Sequence, residues 1–277
     1  MRRRLVGLWF VLPSLAGVLV FVLLPFLDVV RRSFLSAVTE EWVGLKNYLD
    51  VLENQAFRLA CLNTLRFSLY CLPALVGISL AIAAILQRPC RAGEAIKTAL
   101  LFPMAVPVAS VVLVWRVLFL PGGLVNGGLD ALGLPPQEWI SSPRAFWVLL
   151  GSYMWKNLGY DIVLWMAGLA GISGDIYEAA RIDGAGEWTI FWRVTLPCLL
   201  PTLFTVSVLS VLNSFKVFRE AYLVAGDYPN KSMYLLQHLF NNWFLDLSFD
   251  RMAAGSVLVA LCVLCFIGVL RKNLDRE

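Results

Sequence analysis

The stretch GISGDIYEAARIDGAGEWTIFWRVTLPCLLP, residues 171–201, lies between two long apolar blocks and decides the interpretation of the chain. Asp175 is a residue type that often caps a helix, and apolar residues follow it at helical spacing, namely Ile176, Ala179 and Ala180. Gly184 then interrupts this pattern, because glycine adopts a positive φ at little cost. The sequence predicts a short helix that ends in a glycine turn.

A second helical pattern follows the turn. It is carried by aromatic and β-branched residues, and Pro197 is expected to end it before the next apolar block. The predicted object is a helix–turn–helix at a membrane surface. One interpretation is an amphipathic hairpin that only links two spans. The other is a docking element, because the small turn lets another protein approach closely.

Composition places this hairpin in a membrane protein. The 277 residues are 59% hydrophobic and 15% charged, whereas a soluble domain is nearer half apolar and a quarter charged. A single histidine makes an embedded metalloenzyme a poor interpretation, and a scattered net charge of +4 argues against nucleic-acid binding. We expect one membrane domain over residues 1–277, embedded in a lipid bilayer.

The apolar blocks predict six transmembrane helices, since each crossing needs about 20 residues. The predicted spans are Leu5–Leu27, Phe67–Leu86, Ala99–Trp115 extended to Leu120, Phe146–Ala170, Leu199–Phe215 and Met252–Leu270. An interfacial helix is expected near Leu52–Leu65, between the first two spans. The fold class is therefore an all-α membrane protein.

Lysine and arginine set the predicted orientation. Residues 1–4, 87–98, 171–198 and 271–277 together carry 11 basic residues, whereas the longer segments 31–66, 121–144 and 216–251 carry 10. Cytoplasmic segments are the more basic ones in membrane proteins. Both termini and the 171–198 segment are therefore expected in the cytoplasm.

A family resemblance rests on spacing within the 171–198 segment. Glu178-Ala179-Ala180, then Gly184, then Val194 and Leu196-Pro197 match the EAA loop of binding-protein-dependent ABC importer permeases. Asp183 and Ala185 complete the extended form found in the carbohydrate branch, which includes the maltose and glycerol-phosphate permeases. The resemblance extends over most of the chain, with a core region of about 61–270. Ser173 departs from it, because proline often stands there.

The resemblance implies six spans of the importer-permease type with a cytoplasmic EAA helix–turn–helix, in the cell membrane of a prokaryote. It implies that this chain is not an enzyme and binds no cofactor, with ATP and Mg on partner ATPase subunits. A second permease, giving a heterodimer, and an extracytoplasmic solute-binding protein are the other implied partners, and a sugar or sugar derivative is the implied substrate. The residues implied to couple to the ATPase are Glu178, Ala179, Ala180, Asp183, Gly184, Ala185, Leu196 and Pro197.

Polar residues inside the spans are candidates for the substrate pathway. A charge at the bilayer centre costs about 2.5–3.5 kcal/mol, so it should face a cavity or a partner. Aromatic rings beside hydrogen-bonding groups suit a carbohydrate. The alternative is that these side chains hold the helices together. The candidates are Tyr153, Lys156, Asn157, Tyr160, Asp161 and Asn213.

Two other classes of protein fit the sequence less well. A self-sufficient secondary transporter needs internal repeats and ion-coupling carboxylates, but only Asp161 lies deep in a span. An intramembrane enzyme needs a catalytic pair, and the single histidine, His238, is expected on the surface of an outer loop. Cys262 and Cys265 have metal-like spacing but lie in an apolar helix, where core packing is the expected role.

Overall fold

The computed structural model describes residues 11–87 and 93–274 of the chain. The beginning of the predicted first span, part of the basic 87–98 segment and the last three residues lie outside the described residues. Over the described ranges the regular structure is helical, apart from an isolated antiparallel bridge between Leu35 and Trp42. This confirms the predicted all-α class.

The main helices of the described residues follow one another along the chain. They are α1 (Val11–Arg32), α2 (Lys46–Glu53), α3 (Gln55–Leu86), α4 (Gly93–Ala105), α5 (Val108–Phe119), α6 (Leu124–Ala131), α7 (Ala145–Ala170), α8 (Gly174–Ile182), α9 (Glu187–Ile190), α10 (Leu200–Ser214), α11 (Phe218–Ala225), α12 (Leu236–Leu245) and α13 (Phe249–Leu274). A 3₁₀ turn, Phe215–Val217, joins α10 to α11.

Five stretches among the described residues are long and apolar enough to cross a membrane, one fewer than the six predicted. They are Val11–Arg32, Gln55–Leu86, Val108–Ala131, Leu200–Ala225 and Phe249–Lys272. The predicted fourth span is α7, whose 26 residues make it about 39 Å long. That length exceeds the roughly 30 Å of a bilayer core. α7 is therefore long enough to cross a membrane and differs from the five candidate spans in its less apolar composition.

The chain divides into two compact units. One comprises the described residues up to Arg58 together with Leu239–Cys265, and the other comprises Leu59–His238 with the described residues from Phe266 onward. In the first unit the Asn47 amide donates to the carbonyls of Ser33 and Leu35 at 3.0 and 2.8 Å. These bonds fix the loop between α1 and α2.

The second unit contains the apolar core that positions the candidate sites. One cluster is built around the buried rings of Phe67, Trp115, Phe146 and Tyr153. Another is built around Trp165 with leucines and valines from α7 and α10. α7 contributes to both clusters, so it is the central helix of this unit.

Two glycines let other helices approach α7 closely. A Cβ at Gly159 would lie inside van der Waals contact with the carbonyl of Leu100 on α4, and one at Gly168 would collide with Thr202 on α10. Small residues at such crossings are typical of helix packing in membranes. The α4–α7 and α7–α10 contacts therefore depend on the absence of side chains at these positions.

The second span begins earlier than predicted. The interfacial helix expected near Leu52–Leu65 is wrong, because residues from Gln55 onward already belong to α3, and the separate short helix is α2. Asn54 leaves the helical region with a ψ of 121° and its side chain accepts the backbone N–H of Phe57 at 3.1 Å. Asn54 thus ends α2 and caps α3. The first turns of α3 contain polar and charged residues, so the apolar run that predicts the span begins after them.

The predicted third span is two helices. α4 ends at Ala105, and α5 begins at Val108 after Pro107, whose φ of −59° and ψ of 145° are extended. Proline lacks an N–H and clashes with the preceding turn, so it suits the N-cap of α5 better than a helix interior. The candidate span here is Val108–Ala131, which includes part of the predicted outer loop 121–144.

Candidate coupling loop and translocation path

The first helix of the 171–198 loop is α8, and its cap is Ser173. The Ser173 hydroxyl oxygen accepts the backbone N–H of Asp175 at 3.3 Å. The predicted cap at Asp175 is therefore wrong by two positions, and Asp175 instead lies in the first turn, where a carboxylate suits the helix dipole. A proline at 173 could not make this side-chain bond.

Gly184 ends α8 in the left-handed conformation that its residue type predicts. Its φ is +79°, its N–H donates to the Arg181 carbonyl, and the Ala185 N–H donates to the Ala180 carbonyl, both at 3.0 Å. This pair of bonds is a Schellman motif, which satisfies two carbonyls at the helix end. The glycine turn is confirmed.

The second helix of the loop continues past Pro197. It consists of α9, a π-helical turn (Phe191–Thr195) and a short helical turn (Leu196–Cys198), and α10 begins at Leu200 after a break of one residue at Leu199. The expectation that Pro197 ends the helix is wrong. The π turn shifts the hydrogen-bond ladder by one residue, with the Leu196 N–H bonded to the Phe191 carbonyl, and Pro197 lies in the first turn of the next segment, where its missing N–H is tolerated.

Two side-chain contacts join the halves of the loop. The Thr195 hydroxyl donates to the Tyr177 hydroxyl at 3.4 Å, and Arg181 pairs with Glu187 at 3.3 Å. The Arg181–Glu187 pair is exposed and contributes little by itself. Together with the Schellman bonds, these contacts hold α8 and the second helix in a defined hairpin.

The solvent-exposed face of this hairpin combines carboxylates with exposed apolar side chains. Glu178 and Asp183 are exposed, and their carboxylates have no ion-pair or hydrogen-bond partner among the residues that the structure describes. Ile182 and Trp188 are 85% and 75% exposed. Ala179 and Gly184 are exposed too, whereas Ala180, Ala185 and Leu196 are half-buried and Pro197 is exposed. Exposed apolar residues beside unpaired charges are typical of a surface that binds a partner.

A buried ion pair joins α7 to α11. The Lys156 ammonium lies 2.8 Å from Oε1 of Glu220, and both side chains are largely buried, at 17% and 11% exposure. The other oxygen, Oε2 of Glu220, has no hydrogen-bond partner. Glu220 is not among the predicted site residues because the sequence predicts an outer loop over residues 216–251. The available signal was one carboxylate beside Arg219 in the largely apolar stretch Phe218–Ala225.

Asp161 is paired as well. Its Oδ2 accepts the Ser210 hydroxyl at 2.8 Å, and the Tyr153 hydroxyl donates to the Ser210 carbonyl at 3.3 Å. Asp161, Ser210 and Tyr153 are all buried. These bonds tie α7 to α10.

The remaining pathway candidates are less enclosed. Asn157 is half-buried and donates to the carbonyl of Tyr153 on its own helix at 2.9 Å. Asn213 is half-buried and its Oδ1 accepts the Lys216 ammonium at 2.7 Å. Tyr160 is also half-buried. These three side chains keep surface that a ligand could reach.

The excluded candidates behave differently from expectation. His238 is fully buried, not on the surface, and its Nδ1 accepts the Leu235 N–H at 3.2 Å. Burial lowers the pKa of the His238 imidazole to about 4, and the charge of Asp227 opposes this shift. Cys262 and Cys265 are exposed on α13, so core packing within this chain is not their role. The described residues contain no group of three potential metal ligands.

The family follows from comparison with known proteins. Residues 74–276 match the family described as binding-protein-dependent transport system inner membrane component, which is most of the chain. The chain belongs to this family: it is the membrane component of a transport system. The prediction that it is not an enzyme is confirmed by this membership.

Two relatives align over nearly the whole chain. The trehalose/maltose transport system permease protein MalF of Thermococcus litoralis is 31% identical, over 98% of this chain and 94% of the relative. The osmoprotective compounds uptake permease protein GgtC of Synechocystis sp. is 29% identical, over 96% of this chain and 97% of the relative. The resemblance to sugar-importer permeases is therefore confirmed.

The fold matches solved structures. One is a bacterial ABC transporter that imports the acidic polysaccharide alginate, with a TM-score of 0.84, 22% identity, and coverage of 99% of this chain and 96% of that chain. Another contains the alginate transporter with a pentasaccharide-bound periplasmic protein, at a TM-score of 0.83, 20% identity and the same coverage. At this identity the likeness supports the importer-permease fold.

Proposed function

We propose that this chain is one permease subunit of an ATP-driven importer for a sugar or sugar derivative. The substrate would be delivered by an extracytoplasmic binding protein, and ATP with Mg would be bound and hydrolysed on cytoplasmic ATPase subunits. A second permease would complete the path as a heterodimer. Support comes from the relatives, whose names include maltose, trehalose and arabinooligosaccharide transport, each aligned over nearly the whole chain.

The 171–198 hairpin is the proposed contact to the ATPase. The main support for this proposal is its exposed face, on which unpaired carboxylates lie beside exposed apolar residues. Glu178 and Asp183 would supply charge, and Ala179, Ala180 and Gly184 would allow close approach. Because α7 ends at Ala170, only four residues before α8 begins, a push on the hairpin would be transmitted directly into that helix. Such rigid-body transmission couples two sites through a two-state element.

The substrate path is proposed to run beside α7 and α10. Asn157, Tyr160 and Asn213 are the candidates that keep accessible surface, and their amide and hydroxyl groups suit sugar hydroxyls. Lys156, Tyr153 and Asp161 would hold the helices that line the path in position, through their bonds to Glu220 and Ser210.

The proposed orientation places both termini and the hairpin in the cytoplasm of a prokaryotic cell. It is supported by the higher density of basic residues on that side. The loops around α6 and α12 would then face the binding protein.

Substitution of Gly184 tests the coupling proposal. Gly184→Val places a β-branched residue at φ +79°, which costs about 1–3 kcal/mol locally. Gly186→Val is the matched control, because Gly186 has ordinary angles of −71° and 158° and open space around its Cβ. Both should insert in the membrane, and only Gly184→Val should lose ATP-driven sugar uptake and binding-protein-stimulated ATP hydrolysis in vesicles. Wild-type uptake by Gly184→Val would exclude this hairpin as the coupling element.

A further inference from the structure

A groove runs between α5 and α7 in the second unit, with a volume of about 520 Å³. Its α5 wall is formed by residues at i, i+3, i+4, i+7 and i+8, which share one helix face: Val111, Val114, Trp115, Leu118 and Phe119. Val114 is 44% exposed, so this face is open to the surroundings. α5 belongs to a candidate span, so within the membrane this face is open to lipid or to a neighbouring subunit.

The α7 wall has the same regularity. Trp147, Val148, Gly151, Ser152 and Trp155 line the groove, again one helix face. At the floor, the Trp115 indole N–H donates to the Ser152 hydroxyl at 2.7 Å. This bond engages the indole N–H and the hydroxyl oxygen, so what remains for an occupant is largely apolar.

One end of the groove carries an aromatic and cationic rim. Trp139 lines the groove beside Phe119, and the two rings lie 6.0 Å apart. Arg144 precedes Trp147 by three residues and Val148 by four, so it lies on the same face one turn beyond the groove. Arg144 is exposed, and its guanidinium has no partner among the described residues. In the proposed orientation this rim is on the outer side, where basic residues are not favoured by topology alone.

The length of the groove matches one leaflet. From Val111 to Phe119 the α5 wall rises about 12 Å. Half of a bilayer core is about 15 Å. The groove is therefore about as long as one leaflet is deep. Because the 26 residues of α7 make it longer than a bilayer core, Arg144, directly before its first residue, lies at the depth of the headgroups, where tryptophan is also enriched.

We propose that this groove binds one outer-leaflet anionic phospholipid. An acyl chain lies between Trp115, Trp147 and Trp155, and Arg144 binds the phosphate by charge-assisted hydrogen bonds. The apolar lining suits an acyl chain, and the unpaired guanidinium at headgroup depth suits a phosphate. Because the groove is open toward the membrane, a lipid can enter it from the bilayer. The site is distinct from the coupling hairpin and from the polar pathway candidates.

Lipid titration of the purified permease–ATPase complex in detergent tests this site. Phosphatidylglycerol is added, with phosphatidylcholine of the same acyl chains as the comparison and glycerol phosphate as the chain-free headgroup. Bound lipids are counted by native mass spectrometry, and melting is followed in parallel. Gly151→Leu fills the groove without a backbone clash, since nothing lies within 4 Å of a Cβ there, and Gly77→Leu adds the same bulk at an equally open glycine in α3.

The wild-type complex should retain phosphatidylglycerol in preference to phosphatidylcholine and should not respond to glycerol phosphate. Arg144→Gln should weaken phosphatidylglycerol binding about tenfold or more, as expected for a lost charged hydrogen bond. Arg116→Gln, which removes a charge from the other side of α5, and Gly77→Leu should bind normally. Gly151→Leu should abolish binding at unchanged basal melting temperature. Equal binding of both lipids would overturn the proposal, and release of the second permease by Gly151→Leu would show a subunit interface in its place.

Discussion

Individual side chains in α7 illustrate how burial and pairing decide the role of a polar residue in a membrane. Lys156 would be costly alone at this depth, but Glu220 lies 2.8 Å away. Asp161 has the Ser210 hydroxyl at the same distance. Removing one partner of such a pair is strongly destabilising because it leaves an uncompensated charge. These residues are accordingly poor choices for separating transport from folding.

Asn157 and Asn213 are better choices. Asn157→Ala removes only a bond to the helix's own carbonyl, and Asn213→Ala removes a hydrogen-bond partner of the exposed Lys216. If both amides bind substrate, each change should weaken uptake by about 2- to 12-fold, as expected for a neutral hydrogen bond of about 0.5–1.5 kcal/mol, at unchanged melting temperature. Uptake and detergent melting are measured on the same preparations.

Ser210→Ala provides the contrast for this pair, because it deprives the buried Asp161 carboxylate of its donor. It should lower the melting temperature. If the two asparagine variants melt like Ser210→Ala and keep wild-type substrate dependence, their role is to hold the bundle together.

The existence of a long helix is easier to predict from the sequence than its boundaries. The apolar runs identify α1, α3, α10 and α13 because length and hydropathy are local properties. The ends of the helices cannot be read from hydropathy in the same way. The first turns of α3 contain polar residues, and α4 and α5 separate at Pro107. The Schellman turn at Gly184 is predictable from one residue type, whereas the Lys156–Glu220 pair joins residues 64 positions apart that no spacing rule connects.

The close crossing of α4 and α7 gives a testable prediction. Gly159→Ala adds a methyl group where the Leu100 carbonyl already lies, so the helices must separate. Overpacking of this kind costs about 1–3 kcal/mol. Thermal melting of the detergent-solubilised complex should fall clearly for Gly159→Ala. It should not fall for Gly151→Ala, a substitution in the same helix with open space at its Cβ. Equal melting of the two variants would mean that α4 and α7 are not in close contact.

At the scale of the whole molecule, the number of crossings depends on α7. With five crossings the two ends of the chain lie on opposite sides of the membrane, and with six they lie on the same side. α7 has the length of a span, and both of its charged residues have partners within the protein: Lys156 pairs with Glu220 of α11, and Asp161 accepts a hydrogen bond from Ser210 of α10. Because those charges face partners and not lipid, hydropathy underestimates how readily α7 is accommodated.

Cysteine accessibility on either side of α7 decides the count. Leu132, at 76% exposure, precedes α7, and Thr189, also exposed, follows it in the hairpin. In a background without the six native cysteines, Leu132→Cys should react with a membrane-impermeant maleimide in intact cells. Thr189→Cys should react only after permeabilisation, because α7 carries the chain across. Tyr228→Cys, at 76% exposure after α10 and α11, should again react from outside. Labelling of Leu132→Cys and Thr189→Cys from the same side would remove α7 from the membrane, and labelling of Thr189→Cys from outside alone would reverse the proposed orientation.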